Sequence, residues 1–241
     1  MSNTSRLYEE LASVKTDRIR FEDLKIKLAL LAVFAGRKEM VLYETNEIKK
    51  IRRLSKICRH HDVHTVITRF PSRPLVRRPR VPDFFIEDFL EFSLKSMVGY
   101  QALWACRDAN VVNKITRSLD NELDLGILLG YPACCVAKYT ENKVRSVEVF
   151  FTALKERAQT REAIKHLLYA DPELEIELPG MNLVDQTISQ FPFVFHIACE
   201  DCLSGESTIS SKLNKEYQEI AWNASKHLHD EILDSSQAIL R

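Results

Sequence analysis

Four of the six cysteines in this chain stand in two close pairs, Cys134–Cys135 and Cys199-x-x-Cys202. The C-x-x-C step lets two sulfurs converge on one ion or cluster. The adjacent pair sits in LGILLGYPACCVAKY, where Gly130 permits a turn and Pro132 suits the first turn of a helix. Cys134 and Cys135 then fall in that opening turn, where free N–H groups and the helix field favour a thiolate. Successive residues on a helix point about 100° apart. One thiol can therefore face a cavity while the other faces packing or a second ligand position.

His196, Cys199 and Cys202 follow one another at three-residue intervals, so His196 is a candidate nitrogen ligand beside the sulfurs. Glu200 and Asp201 add negative charge that suits a cation. Four sulfurs, or three with His196, could close a tetrahedral zinc site. Three cysteines could instead hold a 4Fe-4S iron–sulfur cluster and leave one iron open to substrate. A vicinal pair departs from the separated ligands of a structural zinc knuckle, and 241 residues can bury a core without a metal. These two points tilt the expectation to an iron–sulfur cluster, with zinc as the alternative. A dithiol redox pair is the third reading. Cys58 and Cys106 stand alone in helical patterns and read as small buried hydrophobes.

Arg73, Arg77, Arg78 and Arg80, following Arg69, form a basic stretch without an acid. Guanidinium groups pair bidentately with phosphate or carboxylate, so these arginines are the candidate substrate-binding residues for an anion. Phe70, Phe84 and Phe85 flank them and could stack on bases or anchor the stretch to the core. His60, His61 and His64 form H-H-x-x-H, but a helix ending before Val63 would separate them. His227 and His229 read as surface residues. Lys138 and Glu141 read as helix-surface charge or as an acid–base pair near the sulfurs. Tyr131 and Tyr139 bracket the same motif and read as packed tyrosines or as sources of hydroxyls near the sulfurs.

Lys+Arg and Asp+Glu both number 34, so RNA or DNA binding would need a local patch and is not favoured by the overall charge. An anionic small molecule or nucleotide fits the arginines better. Neither G-x-G-x-x-G nor a P-loop pattern occurs. The first residues carry charges throughout and show no secretory signal pattern. The longest apolar run, Leu28 to Ala35, is too short to cross a hydrocarbon layer of about 30 Å. No membrane association, a cytoplasmic setting and no disulfide scaffold are therefore expected.

The elements that must position these groups are mostly helical. Helices are expected over 5–18, 21–35 and 47–60, with short strands at Met40–Glu44 and Val63–Phe70. A Pro/Arg-rich connection, 71–82, separates a small N-terminal region, 1–70, from a helical cysteine-containing domain, 83–241. From Asp83 a helix is expected to run to about Asp108, followed by one over Val111–Leu129, one from Pro132, and a long one over Val144–Leu168. DPELEIELPG, 171–180, alternates as a half-exposed strand or extended arm, and Phe191–Phe195 is strand-like. Leu213 to Ile232 carries one apolar helical stripe. The fold class is mostly α, of α+β type, with a few short strands and the cysteine pairs converging on one site.

G-Y-P-A-C-C-V, Gly130 to Val136, resembles a family of uncharacterised archaeal and bacterial proteins with a G-x-P-x-C-C-V element and a downstream cysteine group, matched here by Cys199-E-D-Cys202. The resemblance runs from about Leu123 to Tyr217. It implies that the four cysteines act as one functional group, and it carries no activity to transfer. The residues together point to an iron–sulfur enzyme, a transferase or lyase acting on an anionic small molecule or nucleotide, with sulfur transfer as one reaction class. A zinc-stabilised module that binds nucleic acid or protein, and a thiol oxidoreductase, are the alternatives.

Overall fold

The computed structural model describes residues 2–69, 100–111, 122–170, 178–206 and 208–240. Helix α1 spans Asn3–Ala12 and is capped by the Ser2 hydroxyl, which accepts from the Ser5 amide. Helix α2, Arg20–Phe34, is buried on nearly every side, the property of a central helix. It packs against α1, the sheet and the two C-terminal helices.

The sheet has three strands in the order β1-β3-β2: β1 is Met40–Thr45, β2 is His64–Arg69 and β3 is Gln101–Cys106. Helix α3, Ile48–His60, crosses from β1 to β2, and β3 pairs antiparallel with both. Trp104 lies opposite Leu42 on one side and Val66 on the other. Alternation along the strands gives the sheet two dry faces. Val41, Tyr43, Leu103 and Ala105 join the main core with α1, α2 and α3. Met40, Ala102, Trp104 and Cys106 form a second core with Val111, Leu128 and Leu129. The sheet thus holds the N-terminal helices on one face and the stem of the cysteine-bearing hairpin on the other.

That hairpin is α4, Glu122–Leu128, and α5, Ala133–Arg157. Gly130 closes α4 with φ 75°, a left-handed conformation that glycine adopts without strain. The two helices touch closely: a Cβ on Gly126 would lie 2.5 Å from a Val136 methyl. Beyond α5 come α6, Arg161–Ala170, α7, Met181–Gln190, the short α8, Glu200–Ser204, then α9, Ile209–Ala224, and α10, Lys226–Ile239. Among the described residues the fold is mostly helical with one small antiparallel sheet, as the residue pattern indicates.

Several boundaries differ from the sequence expectation. Gln101–Cys106 is the central strand, not the end of a helix. It is buried on both faces, so it shows no alternation and reads like a helical core segment. Cys106 is accordingly a strand residue. Phe191–Phe195 is an irregular turn, with the Val194 amide bonded to the Phe191 carbonyl at 3.2 Å. Its aromatics look strand-like because they fill two cores, Phe193 the main one and Phe191 the one around the cysteines. The helix expected from Val144 belongs to α5, which starts at Ala133 and ends at Arg157. Thr160 then accepts from the Ala163 amide and starts α6. The last stripe is two helices, broken at Ser225 in extended backbone. His229 is buried against the Phe193 ring rather than exposed.

Because β3 lies between β1 and β2, the sheet joins residues from both sides of the Pro/Arg-rich stretch. That stretch, 71–82, with Arg73, Arg77, Arg78 and Arg80, lies outside the described residues, as do Phe70, Phe84 and Phe85 and most of the 171–180 arm.

Candidate metal centre

The two cysteine pairs meet. Pro132 is the N-cap of α5, so Cys134 and Cys135 occupy its first turn, as the G-Y-P signal implies. Cys199 caps α8 and Cys202 lies within it. Cys134 Sγ is 3.9 Å from Cys135 Sγ and 3.7 Å from Cys202 Sγ. Cys135 Sγ is 3.8 Å from Cys199 Sγ and 3.7 Å from Cys202 Sγ. All four sulfurs fall within 4.8 Å of one another. Cys135, Cys199 and Cys202 are buried, while Cys134 is exposed.

Two lysines absent from the sequence argument fasten both halves of this centre to the N-terminal core. Lys25, on α2, donates to the carbonyls of Pro192 (2.9 Å) and Val194, in the turn that leads to Cys199. Lys38, just before β1, donates to the Leu129 carbonyl, in the turn that leads to Cys134. Their amines flank the Phe195 ring at 4.9 and 5.2 Å. Burial pushes both pKa values down to about 7. The only sequence signal was charge at positions otherwise apolar: Lys25 and Lys27 interrupt the apolar run of α2.

Polar side chains close the remaining gaps. Ser210, fully buried at the start of α9, lies 3.7 Å from Cys135 Sγ and 2.8 Å from His196 Nε2. His196 thus reaches the sulfurs through Ser210 and is not one of the four converging donors. Burial, then the nearby Lys25 and Lys38, hold its pKa down at about 3, so the ring is neutral. The Cys199 amide donates to Cys135 Sγ at 3.5 Å. Thr187 accepts from the Ala198 amide at 2.9 Å, and Thr208, the N-cap of α9, donates to the Cys202 carbonyl at 3.0 Å. Lys138 sits between Glu141 (3.5 Å) and Glu200 (3.7 Å), a surface bridge from α5 to α8.

The thiols differ in acidity. Burial raises Cys135 strongly and, with the neighbouring thiols, raises Cys134. Burial also acts against a thiolate at Cys202, but donors from Ser210, Cys135 and Cys134 outweigh it and lower its pKa. Of these three thiols, Cys202 is the one whose ionisation the surroundings favour.

Four such sulfurs could hold a metal. Zinc–sulfur bonds of about 2.3 Å in a tetrahedron place the sulfurs about 3.8 Å apart. Four of the six sulfur separations, 3.7 to 3.9 Å, match that edge. They exceed a disulfide bond of about 2.05 Å, and all four thiols are free.

A groove of about 230 Å³ adjoins the centre. It is lined by apolar residues that include Leu178, Met181, Leu183 and Val184, and by Lys138, Tyr139, Asn142, Lys143 and Ser146 of α5, with Cys135 and Cys199 also in the lining.

Residues 107–221 match the model of a family described as "Protein of unknown function (DUF483)". The match holds all four cysteines and contains the stretch from about Leu123 to Tyr217 that carries the sequence resemblance. No curated protein and no solved structure matches the chain. Among the described residues, no helix is long and apolar enough to cross a membrane.

Proposed function

We propose that the four cysteines bind one zinc ion as a closed tetrathiolate centre, and that this ion locks α5, α8 and α9 into a module that binds an anionic ligand in the adjoining groove. The observation that carries it is that four of the six sulfur separations, at 3.7 to 3.9 Å, match the edge of a single-ion tetrahedron, with all six within 4.8 Å. A four-iron cluster interposes iron and sulfide between its thiolates and needs them further apart, so these distances favour zinc over the iron–sulfur alternative. Four protein sulfurs also leave no open coordination position, which is the pattern of a structural site rather than a catalytic one. A redox dithiol is less well supported, because burial holds Cys135 protonated.

The ligand class follows from the groove. Apolar residues line much of it, together with Lys138, Lys143 and Asn142. A small molecule or peptide side chain with an apolar body and an acidic group fits that lining. Replacing the bound ion with Co2+ tests the centre: tetrahedral sulfur ligation gives intense thiolate-to-metal charge-transfer bands and strong visible absorption. Weak, octahedral-type absorption would overturn it. Screening small carboxylates and phosphates by NMR tests the groove, with shifts expected at Tyr139, Asn142 and Met181 and lost in Lys138→Glu/Lys143→Glu. Binding that is indifferent to those substitutions would remove the groove from the account and leave the metal centre standing.

A further inference from the structure

We infer that Glu10, His60 and His61 form a second metal site, built on nitrogen and oxygen, for a divalent transition ion such as zinc or nickel. Glu10 lies in the last turns of α1, His60 is the final residue of α3, and His61 is its C-cap. Neighbouring residues inside a helix diverge by about 100°, which tends to set two imidazole rings apart. Here the helix ends between the two histidines. His61 leaves helical geometry with φ −111° and ψ 29°, and Asp62 turns the chain with φ 58°, in the left-handed region.

The two rings converge as a result. His60 offers its near nitrogen, Nδ1, and His61 its far nitrogen, Nε2, and both point to Glu10 Oε1, at 3.4 and 3.0 Å. The different reach of the two nitrogens compensates for the adjacent backbone positions. All three donor atoms lie within 4.8 Å of one another. Zinc bonds to nitrogen and oxygen of about 2.0–2.2 Å set tetrahedral ligand separations near 3.4 Å; the Glu10–His60 separation is 3.4 Å, the Glu10–His61 separation 3.0 Å.

The site is held on one side and open on the other. His61 is 13% exposed and packs edge-on against Phe34, with ring centroids 6.1 Å apart. His60 is 72% exposed and Glu10 39%, so water can complete the coordination from outside. As ligands, two neutral imidazoles and one carboxylate would reduce the charge of a divalent ion to a single net positive one. The side chains hydrogen-bond to one another without an ion, and on metal binding each ring would offer the lone pair of its facing nitrogen, with its proton carried on the other ring nitrogen. The donors share no residue with the cysteine centre and differ from it in chemistry. Two nitrogens and an oxygen with open positions suit an exchangeable ion, whereas four sulfurs close around one.

The test uses the full-length protein with its cysteine centre filled by zinc. Ni2+ is titrated calorimetrically, and zinc content is read before and after. We expect one Ni2+ per chain and unchanged zinc, with affinity falling roughly tenfold or more in His60→Ala and in Glu10→Gln. His60 is exposed, so His60→Ala should retain the wild-type circular dichroism and melting temperature. Wild-type protein that takes up no Ni2+, or equal uptake by wild type and both variants, would overturn the site. This readout follows the histidines and Glu10, so it stands or falls separately from the cysteine centre.

Discussion

Cys134 Sγ lies 3.7 Å from Cys202 Sγ although the residues are 68 positions apart. Cys134 is the one exposed sulfur of the four, and Cys135 touches all three others. The ligands are therefore not equivalent. Cys135→Ser should lose the ion on dialysis and melt well below the wild type, because a structural zinc contributes folding energy directly. Cys134→Ser should keep the ion through gel filtration and release it faster to a chelator, with water taking the outer position. Metal per chain and the rate of release check both, and equal release from the two variants would contradict the ranking.

Gly126 sets the distance between α4 and α5. A Cβ there would lie 2.5 and 2.8 Å from the two Val136 methyl carbons. Gly126→Ala should cost about 1–3 kcal/mol and shift the start of α5, where Cys134 and Cys135 sit. Val136→Ala added to it should restore part of the stability and of the metal affinity. Urea denaturation of the single and double variants reads the rescue, and strict additivity would show that the clash is not the cause.

Lys25 and Lys38 sit near pKa 7 in the fold against an ordinary value of 10.5. Between about pH 7 and 10 the unfolded chain binds more protons than the folded one, so stability should rise with pH through that window. Below the folded pKa both amines are charged, and that contribution is absent. Lys25→Met should flatten the slope while lowering stability at high pH, because the Pro192 and Val194 carbonyls lose their donor. Denaturation midpoints of the metal-loaded protein across this range measure both effects.

Asp23 is buried and joins three groups. It accepts from Lys27 at 2.8 Å, from Arg20 at 3.0 Å and from the Thr16 amide at 2.6 Å. Burial acts to raise its pKa, but Lys27 and Thr16 outweigh it and hold the carboxyl below its usual value. Asp23→Ala strands the buried Lys27 and should cost about 3 kcal/mol or more. The wild type should lose stability as pH falls through the depressed pKa of this carboxyl, and the variant should lose less there. A variant as stable as the wild type at neutral pH would remove Asp23 from the account.

The halves of the candidate metal centre and their convergence on one site were legible in the sequence; what holds them together was not. Gly130 and Pro132 announce a helix start and so place Cys134 and Cys135 on its first turn. The spacing of Cys199 and Cys202 fits one short helix. What brings the halves together is tertiary: a glycine that admits Val136, two lysines that bind carbonyls, and Ser210, an ordinary residue type at a buried helix start. None of these carries a local pattern. Strand β3 escaped for a different reason. Buried on both faces, it offered only a continuous apolar run, which periodicity cannot tell from a helical core segment. The proposal of zinc over a cluster also draws on three dimensions, because both use the same residues and differ in the distance between their sulfurs.

The central claim is one ion held by four sulfurs. Protein purified without oxygen should be colourless, with about one zinc per chain and no acid-labile sulfide. A brown protein carrying iron and sulfide at about four each, or one with no bound metal, would contradict it.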